Sequence, residues 1–140
     1  MLPISHNLEE QMIPEAYRDL LESTALAHVA TLGPQGEPQS TPVWFGWDGT
    51  YVRISQTKRQ QKYRNLHHDP RIALSIVDPT NLYRYLEIRG IVVRFEDDST
   101  RVFVDSMAKK YLGVDHYPWH REGDEHMVIV IQPQHVTHMG

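Results

Sequence analysis

A mainly β fold, an antiparallel β-barrel of six strands with peripheral helices, is what this sequence predicts, and three observations carry the prediction. Short segments of period-two alternation follow one another almost without interruption. The connections between them are brief and rich in Gly, Pro, Asn and Asp, the residues of turns rather than of crossover helices. Helical spacing is confined to three short stretches, too few to cover both faces of a parallel sheet. At 140 residues the chain fits a single domain, 1–140, with almost no room for a second.

Each element follows from its residues. From Asn7 to Ser23, Leu8, Met12, Ala16, Leu20 and Leu21 recur at helical spacing, and Pro14 suits the start or restart of that helix, since its ring is tolerated in a first turn. Ala25–Leu32 is small, apolar and β-rich. Gly33-Pro34-Gln35-Gly36-Glu37-Pro38 then supplies the breakers for a hairpin whose returning strand runs Gln39–Trp47. Asp48-Gly49 predicts a type I′ turn, with positive φ at both central positions. The third strand, Tyr51–Ser55, places Tyr51, Arg53 and Ser55 on one face and Val52 and Ile54 on the other. Thr57–His68 is polar and helical. Arg71–Val77 alternates Ile72, Leu74 and Ile76 against Ala73, Ser75 and Val77, and Asp78-Pro79-Thr80-Asn81 is a loop. Tyr83–Phe95 is long enough for a bent strand, in which Gly90 marks a bulge or a close backbone approach. Ser99 caps a helix to Leu112 with Val102, Met107 and Tyr111 facing inward and Gly113 as its stop. The loop Val114–Glu125 leads to the last strand, Met127–Ile131, which Pro133 closes.

Composition removes several classes of function. Fourteen Lys and Arg against eighteen Asp and Glu give a net charge of -4, which disfavours a generally basic nucleic-acid binder. The chain has no Cys, so disulfides, thiolate nucleophiles and Cys-ligated metal sites are excluded. No apolar run approaches the roughly 18 residues of a membrane span, and no basic segment followed by an apolar one opens the chain, so a cytoplasmic location is expected. Nine His hint at metal or proton chemistry. His116 and His120 are four apart, but Pro118 between them opposes a shared helix face and no HExxH arrangement occurs, so no metal site is expected and the His are assigned to surface or interface.

Charge is concentrated in one place. Six of the fourteen basic residues, Arg53, Lys58, Arg59, Lys62, Arg64 and Arg71, lie between Arg53 and Arg71, with Asp69 as the only acid. Lys58 and Lys62 share a helix face, and Ser55-Gln56-Thr57-Lys58 reads as a strand-to-helix junction with hydroxyls and unpaired N–H groups. Such a junction, with ammonium groups over it, makes an anion site; the alternative is a merely solvated helix.

Two stretches then resemble a known family. Thr31-Leu32-Gly33-Pro34-Gln35-Gly36-Glu37-Pro38-Gln39-Ser40-Thr41-Pro42-Val43-Trp44-Phe45 and Lys62-Tyr63-Arg64-Asn65-Leu66-His67-His68-Asp69-Pro70-Arg71-Ile72-Ala73-Leu74 look like the pyridoxamine 5′-phosphate oxidase-like split β-barrel family, an FMN-binding-like fold. The chain is most similar to the branch of reductases that use the deazaflavin coenzyme F420. Tyr83-Arg84-Tyr85-Leu86-Glu87-Ile88-Arg89-Gly90 and Tyr117-Pro118-Trp119 extend the resemblance over most of the chain.

The resemblance implies a homodimer with the cofactor in a groove at the interface. It implies a cofactor phosphate near Ser55, Gln56, Thr57, Lys58 and Lys62, the set already selected by anion chemistry, and a tricyclic ring against Thr41, Pro42, Val43 and Trp44. Pro42, which lacks an N–H, implies either a local break in pairing or simply an edge strand. Tyr83 matches an aromatic position that reaches the cofactor from the other subunit. The implied reaction is hydride transfer from reduced coenzyme F420 to a small electron-poor acceptor such as a quinone, enone or bilin, the cofactor carrying the hard chemistry. FMN is the alternative cofactor; the acidic tail of coenzyme F420 would favour Lys58 and Arg59 beside the phosphate. A proton donor is sought at His116 or Tyr117. Vitamin B6 oxidation is not expected, because no Arg occurs in the last nineteen residues. A noncatalytic module of the same fold, holding a flavin or a haem-like tetrapyrrole, is the competing class.

Overall fold

The computed structural model describes residues 12–140 and is an antiparallel barrel. Its strands are β1 (Ala27–Leu32), β2 (Pro38–Val43), β3 (Gly46–Trp47), β4 (Val52–Thr57), β5 (Arg71–Asp78), β6 (Asn81–Asp97) and β7 (His126–Met139). The helices are α1 (Arg18–Glu22), preceded by a 3-10 turn at Glu15–Tyr17, α2 (Gln61–His68) and α3 (Val102–Leu112). The strand order is β2-β1-β5-β6-β7-β4-β3, and every pairing is antiparallel. The two outermost strands, β2 and β3, are joined by Trp44 and Phe45 alone. Three residue steps span no more than roughly 11 Å of extended chain, so the sheet must curl until its edges nearly meet. That connection is why the sheet is a barrel.

Seven strands replace the expected six because Gln39–Trp47 is not continuous. Phe45 is fully buried, and turning it inward breaks the strand after Val43 and carries the chain to the other edge. The ladder itself runs through Pro42, opposite His28, on an edge strand, so the break lies two residues later than Pro42 suggested. The β3–β4 turn has positive φ only at Gly49, 96°; the Asp48 carboxylate instead fixes it by accepting the N–H groups of Thr50 and Tyr51.

The alternation expected for β4 and β5 is present, with Val52, Ile54, Ile72, Leu74 and Ile76 all buried. They join Val29, Leu86, Ile88, Ile129 and Ile131 in one core closed on one side by Leu20 and Leu21 of α1. Of the expected Asn7–Ser23 helix, the part before Met12 lies outside the described residues. Pro14 caps the 3-10 turn. Gly90 does mark a close approach: a Cβ there would sit 2.4 Å from the Gln132 carbonyl oxygen, and the β6–β7 register shifts at that point. Pro133 therefore lies at this bulge opposite Gly90, and β7 continues past it to Met139.

α2 begins at Gln61, four residues later than expected, because Thr57 still pairs with His126 in the β4–β7 ladder. α3 ends at Gly113, whose φ of 71° is the left-handed stop its position predicts. Its cap is not Ser99, which bonds Asp97. Buried Asp98 accepts the N–H groups of Phe103 and Val104, each at 3.0 Å. Val102 faces solvent rather than the core, while Met107 is buried. No helix among the described residues is long and apolar enough to cross a membrane.

Candidate functional site

Where β2 ends and the chain breaks towards β3, a cleft of about 380 Å³ opens between β2, β4, α3 and the loop 113–125. Pro42, Val43 and Trp44 form one side, and Ser55, Gln56 and Thr57 the floor, so six of the residues expected from sequence come together here. Val104 and Met107 of α3, Leu26, Gln60, Tyr117, Trp119 and His126 complete it.

The break is held rigidly. The Trp44 ring stacks on Tyr111 at 5.3 Å and 8°. The Tyr111 hydroxyl donates to the Ala25 carbonyl at 2.7 Å and accepts the Phe45 N–H at 3.2 Å, and the Lys110 ammonium donates to the Phe45 carbonyl at 2.8 Å. Burial raises the Tyr111 pKa, so its hydroxyl keeps its proton and its donor role. Thus α3 supplies the backbone bonds that neither β2 nor β3 can make at Phe45.

Thr41 Oγ1 and Gln56 Oε1 are buried without a hydrogen bond among the described residues; Gln56 lies in the cleft floor, whereas Thr41, the neighbour of Pro42 in β2, does not line the cleft. A buried acceptor left unmade costs about 1–3 kcal/mol, so both suit a ligand that brings its own donors. Thr57 is spoken for: its N–H and hydroxyl both donate to Gln60 Oε1, at 2.8 and 3.1 Å.

The basic cluster resolves into unequal members. Lys58 pairs with Glu125 at 3.3 Å and Arg59 with Asp124 at 2.8 Å. Arg53 bridges Asp48 and Glu96, Arg71 grips Asp69, and Arg64 donates to Gln61 and the Arg59 carbonyl. Lys58 therefore lies in the turn before α2, not on its face. Lys62 is different. It is buried at 7% exposure and has no hydrogen bond or ion pair among the described residues. Burial lowers its pKa from 10.5 to about 8. Lys62 stands in the first turn of α2, whose N-terminus has no side-chain cap, so charge and dipole there both favour an anion, although Lys62 itself does not line the cleft.

The loop's contribution is aromatic. Tyr117, Trp119 and Trp44 lie 5.7–6.1 Å apart, and Tyr117 meets His126 edge-on at 5.8 Å. Asp105 of α3 staples the loop, accepting the Tyr117 N–H at 2.8 Å and facing His116 at 3.2 Å. Burial works to raise the Asp105 pKa, but the Tyr117 N–H and the His116 ring outweigh it and hold the carboxyl below its usual range. His116 points outward into that ion pair and does not line the cleft; Tyr117 does. Burial, with the Asp124 carboxylate, raises the Tyr117 pKa. Tyr83 stands 80% exposed beside Leu82 at 75%, away from the cleft residues of its own chain. The residues that sequence reasoning missed, Leu26, Gln60, Val104 and His126, carry no motif. Only the Tyr117-Pro118-Trp119 run and the inward Met107 signalled that side of the cleft.

A curled antiparallel barrel with a cleft at the break between its two edge strands is the architecture of the split-barrel class. The chain belongs to the pyridoxamine 5′-phosphate oxidase family, whose model matches residues 13–140. Among solved structures it is similar to an F420 reductase, at 38% identity over 89% of this chain and 98% of that one, with a TM-score of 0.81. A conserved hypothetical protein from Mycobacterium tuberculosis shares the fold at 21% identity, covering 91% of this chain and 84% of that one, TM-score 0.71. A heme binding protein from Mycobacterium smegmatis does so at 23%, covering 90% of this chain and 53% of that one, TM-score 0.67. No curated protein matches.

Proposed function

We propose that this protein is a coenzyme F420-dependent reductase that passes a hydride to a small, electron-poor organic acceptor. The observation that carries the reading is the 38% identity to an F420 reductase across nearly the whole of both chains. Gln56 Oε1 in the cleft floor suits a donor of a polar ring edge, and outside the lining Lys62 with the N-terminus of α2 suits the cofactor phosphate and Thr41 Oγ1 a further polar contact. When bound and reduced, a deazaflavin supplies hydride at a ring carbon, which favours two-electron transfer. This chain's part is to bind, orient and exclude water. Pro42, Val43 and Trp44 would form an apolar side for the ring, Ser55 would serve the phosphate while Thr57 stays bonded to Gln60, and Tyr117 and Trp119 would enclose a planar acceptor. Lys58, held by Glu125, contributes field rather than a direct contact. In this reading the working unit is a homodimer, in which exposed Tyr83 and Leu82 meet the partner copy.

Titrating the purified protein with coenzyme F420 and with FMN, read by Trp fluorescence, tests the reading. Tighter binding of coenzyme F420 is expected, and Lys62→Ala weakens it by about 1.5–3 kcal/mol, the range for a hydrogen bond to a charged group. Tighter binding of FMN overturns the deazaflavin assignment. Binding without oxidation of the reduced cofactor by any quinone, enone or bilin would instead make the protein a carrier.

A further inference from the structure

At the loop side of the cleft, which His126 also lines, three side chains of metal-ligand chemistry gather. His120 and Asp124 belong to the loop 113–125, and His126 is the first residue of β7, opposite Thr57 of β4. The His120 Nδ1 lies 2.8 Å from the His126 Nε2, and one ligand atom from each of His120, Asp124 and His126 falls within 4.8 Å of the others. The sequence concealed this group because His120 pairs with His126, six residues on and across a turn, and not with His116, four residues back.

The site is built rather than incidental. His126 is 3% exposed and the Asp124 side chain 5%. The Asp124 carboxylate is oriented from both sides, Oδ1 accepting from Arg59 Nε at 2.8 Å and Oδ2 from the Arg121 N–H at 3.0 Å. Each oxygen keeps a further lone pair, the arrangement by which outer partners aim a ligating carboxylate. With the ring protons on the far nitrogens both facing lone pairs become ligands, and side-chain rotation that opens the 2.8 Å gap to roughly 3.3 Å admits a divalent ion at about 2.0–2.1 Å from each.

We propose that His120, Asp124 and His126 bind a divalent transition-metal ion of the zinc type, with solvent as fourth ligand. Two imidazoles and one carboxylate match the donor preference of such ions. They do not match Mg²⁺ or Ca²⁺, which need more oxygen ligands than the site offers, and Arg59 reduces its negative charge further. The ion acts as a clasp. It ties the loop to β7 next to Trp119 and Tyr117, whose ring touches His126, and so fixes the aromatic wall. The proposal does not depend on which organic cofactor occupies the cleft.

The test is titration of chelator-treated, tag-free protein with Co²⁺, read by visible absorption. One equivalent binds with the intense d–d bands of low-coordinate Co²⁺, and Zn²⁺ displaces it. His120→Ala, at a half-buried position, and the isosteric Asp124→Asn each abolish the signal, while far-UV circular dichroism confirms their folding. No one-to-one binding by the parent protein, or undiminished binding in either variant, overturns the proposal.

Discussion

The strand wall of the cleft, Pro42–Val43 and Ser55–Thr57, and the loop wall, Tyr117 and Trp119, face one another on different foundations. β4 pairs residue for residue with β7 from Val52 to Thr57, and Phe45, Ile54 and Ile129 behind it are completely buried. The loop has no ladder. It is held by the Asp105 staple, by the backbone bond from Lys58 N–H to the Glu125 carbonyl, by the Arg59–Asp124 pair and by ring contacts. One wall is continuous with the core, so changing it costs folding stability. The other rests on a few polar anchors and can change with the fold intact, which divides the labour between fixing a cofactor and admitting an acceptor.

The largest effect that would break this contrast lies at Phe45. Phe45→Ala empties a fully buried site at the β2–β3 break and is expected to cost about 3–5 kcal/mol in chemical denaturation. A loss below 1 kcal/mol would mean that the strand wall is no more anchored than the loop. Next is the pH dependence of Lys62. Its folded pKa, about 8, lies below the unfolded value of 10.5, so between these the unfolded chain binds more protons and stability rises with pH. The rise is on the order of 3 kcal/mol at most. It should vanish in Lys62→Met, and shrink when an anion binds the charged form. A flat profile in the parent protein would show that the ammonium already has a counterion. The smallest effect belongs to the loop. Asp105→Ala removes the staple at a cost of about 0.5–1.5 kcal/mol in stability, yet it should alter the near-UV dichroism of Trp119 and Trp44. An unchanged spectrum would show the ring contacts alone suffice.

Much of the fold could be read from sequence where periodicity carries it. Val52, Ile54, Ile72, Leu74 and Ile76 alternate and are buried, and Gly90 and Gly113 do what their positions imply. Phe45 reads as more strand because it is an apolar residue in a β-like run, whereas its burial and its bonds to Lys110 and Tyr111 of α3 take it out of the ladder. Asp98 rather than Ser99 is the cap because its two carboxylate oxygens each reach one N–H of the first turn, whereas the Ser99 hydroxyl is turned away to donate to Asp97. On the site, local chemistry marked Pro42–Trp44 and Ser55–Thr57 but gave Lys58 and Lys62 equal weight. Only burial and the position of Glu125, more than sixty residues away, separate the paired Lys from the unpaired one. His126 and Val104 reach the cleft through pairings between distant segments that no local pattern announces.

The β6–β7 ladder gives the loop wall one further property. From Asp97, opposite Met127, the chain leaves for α3 and the aromatic loop and returns to the same ladder, so this whole excursion is a closed loop stapled at its base. The entropy of closing such a loop grows only with the logarithm of its length, about 0.6 kcal/mol for each doubling. Residues inserted between Gly113 and Glu125 away from the loop's polar anchors therefore add little closure entropy, whereas one residue inserted in β4 would turn every later side chain of that strand to the opposite face. Divergence among proteins of this architecture should accumulate at the acceptor side of the cleft while the cofactor side keeps its length.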